Sequence, residues 1–174
     1  MVSLHGNIIK LRALEKEDLD LLFELENSPS VWEISGTIAP YSRDVLKLYL
    51  ENAHRDIYDV KQLRLVICTV DNEAIGLIDL FDFDPKNRRA GVGIVITDEG
   101  NRNKGVGTEA LEILCKYAFK TLNLRQLYAN ILEGNERSLY LFKKLGFELV
   151  GNKRDWIFTE GVFKNEYLFQ KIFK

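Results

Sequence analysis

The sequence predicts an α/β chain built on one central mixed, mainly antiparallel sheet of about seven strands, flanked by about four helices. Two observations predict it. The periodicity alternates in the order β-α-α-β-β-β-α-β-α-β-β, a mixed sheet covered by helices. The length of 174 residues, 46% of them hydrophobic, fits a single domain spanning 1–174 that can bury a real core. No repeat, linker or low-complexity stretch divides it.

Ile8 to Ala13 is rich in β-branched and apolar residues and reads as the first strand. Glu15 to Asn27 is a helix, with acids in its first turn and Leu19, Leu22, Phe23 and Leu25 at helical spacing. Asn27-Ser28-Pro29-Ser30 stops it, and Val31 to Tyr41, with Gly36 and Pro40, reads as an irregular loop. Ser42 is an N-cap for a helix reaching about Tyr58, with Val45, Leu46, Tyr49, Leu50 and Ala53 on one face. Leu63 to Val70 and Ala74 to Phe83 form a hairpin around Asp71-Asn72. Asp84 to Asn87 is a turn, and Arg89 to Thr97 a third strand of this meander, interrupted by Gly91 and Gly93. A polar loop, Asp98 to Lys104, leads into an apolar helix from Gly105 to about Leu122. Arg125 to Leu132 is a strand and Asn135 to Leu145 a short helix. Phe147 to Ile157 and Val162 to Ile172 are two final strands around Thr159-Glu160-Gly161.

Composition excludes several classes. With 24 basic against 26 acidic side chains the net charge is −2, and no basic cluster marks a nucleic-acid partner. The two cysteines, Cys68 and Cys115, sit inside apolar runs as small core residues, which argues for a reducing compartment and against a disulfide framework or metal site. Met1 to Asn7 lacks the layout of a signal peptide, and no apolar run reaches membrane-spanning length. The expectation is a cytoplasmic protein without a membrane partner.

Gly105-Val106-Gly107 admits two phosphate-binding readings. From Gly105 the segment Gly-Val-Gly-Thr-Glu-Ala satisfies a dinucleotide fingerprint, with Glu133 as the later acid. That fingerprint, however, needs its first glycine almost directly after a strand that opens a βαβ unit. Here the polar stretch 97–104 intervenes and the strand closes an antiparallel meander. From Arg102, a basic polar loop runs into two glycines at a helix start. Backbone N–H groups, the helix dipole, Arg102 and Lys104 can then meet an anion together.

Arg102-x-x-Gly105-x-Gly107, followed by Asn135-x-x-Ser138-x-x-Leu141-Phe142-x-Lys144-x-Gly146-Phe147, resembles the GNAT superfamily of N-acetyltransferases across essentially the whole chain. Lys10 to Leu19 and Arg88-Arg89-Ala90 are similar to the spermidine/diamine N-acetyltransferases and to the ribosomal-protein N-acetyltransferase-like group. The resemblance implies a GNAT-like fold and transfer of an acetyl group from acetyl-CoA to a primary amine in a ternary complex, with no metal. It implies that pantetheine lies along Gly93, Ile94, Val95 and Ile96, with Gly91 and Gly93 making the bulge that splays this strand from the next. Glycines inside a strand fit a bulge or relief of crowding near a bulky neighbour such as Trp32. The pyrophosphate is expected on Arg102, Asn103, Lys104, Gly105, Val106, Gly107 and Thr108, with Asn135 on the pantetheine chain and Lys144 on the nucleotide phosphates. Asn135 also reads as an N-cap, and Lys144 as a dipole partner.

Amine attack on a thioester needs a base for the ammonium, stabilisation of the developing oxyanion and a proton for the thiolate. Many relatives give that proton from a tyrosine where this chain has Phe142, which has none to give. Phe142 then reads as a pocket wall and Tyr140 as a minor acid candidate. Asp79 and Asp82 stand out as base candidates in an apolar strand, on opposite faces of it. The resemblance favours Asp82, which equally reads, with Asp84, as a cap of the turn before Pro85. Glu33, beside Trp32 on a loop expected to border the acceptor, is a further candidate. His5 and His54 are set aside. The acids that polyamine enzymes carry before their second helix and at Gly91 are missing, since residues 34–40 hold no carboxylate. Open acceptors are therefore a polyamine or other small amine, a peptide or protein N-terminus, and an aminoglycoside-like compound. A non-catalytic acyl-CoA-binding module is the alternative, and a homo-oligomer stays open.

Overall fold

A computed structural model describes residues 2–97, Gly100 and 105–174. Strands β1 (Ile9–Ala13), β2 (Leu63–Thr69), β3 (Ala74–Asp84), β4 (Arg89–Ile96), β5 (Gln126–Leu132), β6 (Glu148–Thr159) and β7 (Val162–Ile172) form one sheet in the order β1-β2-β3-β4-β5-β7-β6. Every neighbouring pair is antiparallel except β4 with β5. The mixed, mainly antiparallel seven-stranded expectation holds.

Six α-helices are described rather than four: α1 (Leu19–Glu26), α2 (Pro29–Ser35), α3 (Arg43–Glu51), α4 (Ile57–Val60), α5 (Val106–Lys120) and α6 (Glu136–Lys144). The segment expected as an irregular loop from Val31 to Tyr41 starts inside α2, and only 36–41 is irregular. Pro29 occupies its first turn, where the missing N–H costs nothing, and Gly36 closes it with φ 71. The helix expected to run to Tyr58 stops at Asn52, and Asp56 starts α4 by accepting a hydrogen bond from the Tyr58 N–H. Ser42 does cap α3, its hydroxyl accepting from the Val45 N–H at 3.2 Å.

The sheet is covered on both faces. On one, Ala110, Leu111, Leu114 and Ala118 of α5 pack on Ile9, Leu11, Ile67, Ile78 and Leu80. On the other, Leu22 and Leu25 of α1 with Leu46 and Leu50 of α3 pack on Val66, Cys68 and Leu77. Each such aliphatic side chain contributes about 1.5–3 kcal/mol by leaving water. The N-terminal segment is tied to α5 by Glu109, whose carboxylate accepts the N–H groups of Asn7, Ile8 and Ile9 at 2.7, 2.9 and 2.9 Å.

The ladder between β4 and β5 holds only at Arg89–Gln126, Ala90–Leu127 and Gly91–Tyr128, and then the strands diverge. The expected bulge is not on β4. It lies on β3, where pairing jumps between Phe81 and Asp84 and Asp82 takes φ 48. Gly91 serves another purpose. A Cβ there would sit 2.2–2.7 Å from the Phe81 ring, which crosses Gly91 and meets Tyr128 of β5 edge-on at 5.8 Å. Phe81, not Trp32, is thus the bulky neighbour. Gly93 has only an ordinary 3.9 Å approach to the same ring. No described helix is long and apolar enough to cross a membrane.

Candidate active site

Where β4 and β5 part, a cleft of about 870 Å³ opens. Ile94, Val95 and Ile96 form one wall and Leu132, Gly134 and Asn135 the other. One end is closed by Gly105, Gly107 and Thr108 at the start of α5. Gly105 holds φ 83, a conformation that favours glycine, so the chain can turn into a 15-residue helix whose first N–H groups have no helical partners. Those groups and the dipole suit a phosphate. Arg102, Asn103 and Lys104 lie outside the described residues. Val106 departs from expectation: it is buried in the core and is not among the lining residues, because the first turn of α5 points it under the sheet. Arg137, Tyr140, Leu141 and Lys144 of α6 flank the cleft, and Arg137 was not anticipated. A slot of this shape, walled by a strand edge and ended by a helix N-terminus, fits the extended pantetheine and pyrophosphate of acetyl-CoA.

Asn135 lines the cleft and also caps α6, its Oδ1 accepting from the Ser138 N–H at 3.2 Å. Phe142 is not on the cofactor side. It is 3% exposed, stacks edge-on against Phe147 at 4.9 Å, and walls a second cavity.

That second cavity, about 400 Å³, reaches the opposite face of the sheet between α1, α2, β2 and β3. Its floor carries an ion triad. Arg64 donates Nε to Asp79 Oδ1 at 2.9 Å and a terminal nitrogen to Asp79 Oδ2 at 2.8 Å, and its other terminal nitrogen donates to Glu26 Oε1 at 2.5 Å. Burial works against the Arg64 charge, but the Asp79 charge and hydrogen bonds more than offset it and raise its pKa. Both Asp79 oxygens are committed to that fork, so Asp79 is a fixed charge rather than a free base. Hairpin register sets Arg64 directly opposite Asp79.

Asp82 is a correction. The β3 bulge turns it out of both cavities, and its exposed carboxylate accepts a 3.1 Å hydrogen bond from the Tyr128 hydroxyl. Burial, with the Asp82 charge and hydrogen bond, pushes the Tyr128 phenol up to about 12. Trp32 is another correction. Its indole N–H donates to the Glu26 carbonyl at 2.5 Å, pinning α2 to the end of α1, and it lines neither cavity. Tyr140 is 70% exposed and lines the cofactor side alone. Burial pushes the Cys115 thiol up to about 11, which removes it as a nucleophile.

The two cavities share Val31, Glu33, Ile34, Ile94, Val95, Leu132, Asn135 and Ser138. Among these described residues Glu33 supplies the one carboxylate and Ser138 the one hydroxyl. Glu33 Oε1 accepts from Lys164 Nζ of β7 at 2.5 Å. Glu166, also of β7, lines the second cavity and pairs with Lys153. Lys164 and Glu166 carried no motif, and only the fold of the last hairpin brings them here.

Comparison with known proteins gives a consistent picture. The model of the acetyltransferase (GNAT) domain matches residues 9–148. The spermidine N(1)-acetyltransferase of Escherichia coli (strain K12) is 34% identical over 165 residues, covering 95% of this chain and 85% of that protein. The ribosomal N-acetyltransferase-type protein YdaF of Bacillus subtilis (strain 168) is 34% identical over 158 residues, covering 88% and 85%. The crystal structure of the Vibrio cholerae spermidine N-acetyltransferase, in complex with CoA and spermine, superimposes with a TM-score of 0.85 over 96% of each chain, at 24% identity.

Proposed function

The chain belongs to the GNAT acetyltransferase family and is an acetyl-CoA-dependent N-acetyltransferase, and we propose that its acceptor is a small cationic amine of the diamine or polyamine kind. The carboxylates of the second cavity carry this reading. Glu26, Glu33, Asp79 and Glu166 line it with Arg64 as the one cation of the lining, while Lys164 and Lys153 hold Glu33 and Glu166 from outside it. Acids that the segment before α3 lacks are thus supplied by α1, α2, β3 and β7. A site lined this way favours an acceptor with more than one positive charge. The Escherichia coli relative, a spermidine N(1)-acetyltransferase, points the same way.

Bound acetyl-CoA supplies an activated acetyl thioester. Ile94, Val95 and Ile96 hold its extended arm, and Gly105, Gly107 and Thr108 hold its pyrophosphate. Arg137 and Lys144 add positive charge on the far wall. Glu33, at the meeting of the cavities, receives the proton that the acceptor ammonium loses, directly or through water. Asn135 and Ser138, which line both cavities, orient the reacting groups, and the Ser138 hydroxyl offers a hydrogen bond to the departing thiolate, which takes its proton from solvent. Phe142 keeps water from the junction. The setting is the cytoplasm, where both substrates are at hand.

The test is release of free thiol from acetyl-CoA with diamines, polyamines, monoamines of matched length and short peptides. Di- and polyamines are expected to give the highest kcat/KM. Turnover of peptides alone would move the acceptor to a protein N-terminus, and silence across the panel would count against the amine reading.

A further inference from the structure

We infer that Lys164 is an internal competitor for the acceptor, a tethered primary ammonium that occupies on Glu33 the place the incoming amine must take. The inference rests on the amine-acceptor reading and adds a residue that the reading does not require.

Glu33 is the one carboxylate among the described residues that line both cavities, so an acceptor nitrogen approaching the junction meets it. In the resting molecule that carboxylate is already held, by Lys164 at 2.5 Å. The partner is a primary alkylammonium, the same chemical group as the proposed acceptor, rather than a guanidinium. The hydrogen bond to Glu33 raises the Lys164 pKa, so the ammonium stays charged. The two side chains are 31% and 29% exposed, and Lys164 has a flexible four-carbon stem, so solvent can take its ammonium when a rival arrives. Elsewhere in the acceptor cavity the carboxylates of Glu26 and Asp79 share one half-buried, forked arginine, a partner that cannot swing away as freely. Glu166 has a lysine partner too, Lys153, but of the two lysine pairs only Glu33–Lys164 stands where the cavities meet. The pair also joins α2 to β7.

Linkage fixes the sign. A site open only part of the time shows an affinity reduced by its open fraction, so removing the internal occupant must tighten amine binding. Part-exposed ion pairs of this kind correspond to about a two- to fivefold change. Lys164→Met and Lys164→Gln are expected to lower KM for the amine by that factor. Lys164→Arg, which keeps a cation on Glu33, should not. In a Glu33→Gln background Lys164→Met should have no effect on amine KM. A purely structural ion pair would do the opposite, because its loss loosens α2 and raises KM. The inference is overturned if Lys164→Met and Lys164→Gln raise KM or leave it unchanged, or if the gain persists in Glu33→Gln. Failure of the two inferences is distinguishable: no amine turnover by the unmodified chain sinks the function itself. Turnover with an unaltered KM in the Lys164 variants sinks only the competitor.

Discussion

At the scale of single residues, chemistry concentrates where the two cavities meet. Glu33→Gln is expected to lower kcat/KM by about a hundredfold or more, the usual cost of losing a positioned base, in a thiol-release assay. Asp82→Asn is expected to leave it unchanged, because that carboxylate faces solvent and Tyr128. The contrast shows what was legible. Two aspartates in an apolar strand flagged the right strand, but a strand bulge decides which one faces the cavity, and no local residue pattern announces it. Arg64 was open to reading, since a charged residue inside a buried strand opposite an aspartate across a hairpin is an ion pair waiting to form. Gly91 offers a separate test. Gly91→Ala puts a methyl into the Phe81 ring and should cost about 1–3 kcal/mol in urea denaturation. Phe81→Ala in the same chain should restore part of it.

At the scale of elements, the strands and the helices α5 and α6 followed their periodicities. Short segments governed by caps did not. α2 was hidden because Pro29 and Gly36 read as breakers, whereas proline at a helix start and glycine at its end delimit one. The Asn135 to Phe147 motif was legible because its parts are local: an N-cap, a buried Phe142, a left-handed Gly146 and a returning Phe147. The attachment of the N-terminal segment to α5 spans a hundred residues and left no local signal. Burial tends to raise the Glu109 pKa, but hydrogen bonds from Asn7, Ile8 and Ile9 hold it below the ordinary glutamate value of 4.5. A depressed folded pKa means stability that is fully present above the unfolded value and lost as pH falls through the folded one. Glu109→Gln should therefore cost about 1 kcal/mol near neutrality. The gap to the unmodified chain should shrink below about pH 4.5, as thermal melts across pH would show.

At the scale of the whole molecule, two half-sheets meet through three residue pairs of one parallel ladder, and the cosubstrate slot is the wedge beyond them. Filling the wedge should tie the halves together. At a hundredfold excess over Kd, acetyl-CoA is expected to add about 2.7 kcal/mol to unfolding stability, read as a raised melting temperature, with NADH having no such effect. The placement of the two cavities on opposite faces of the sheet also governs traffic. On the function proposed above each substrate has its own cavity, and the two meet along the shared lining that includes Glu33, Asn135 and Ser138. Neither product blocks the exit of the other, so no compulsory order of departure is built into the molecule. Product inhibition should then be competitive for coenzyme A against acetyl-CoA and for the acetylated amine against the amine, and each should be noncompetitive against the opposite substrate.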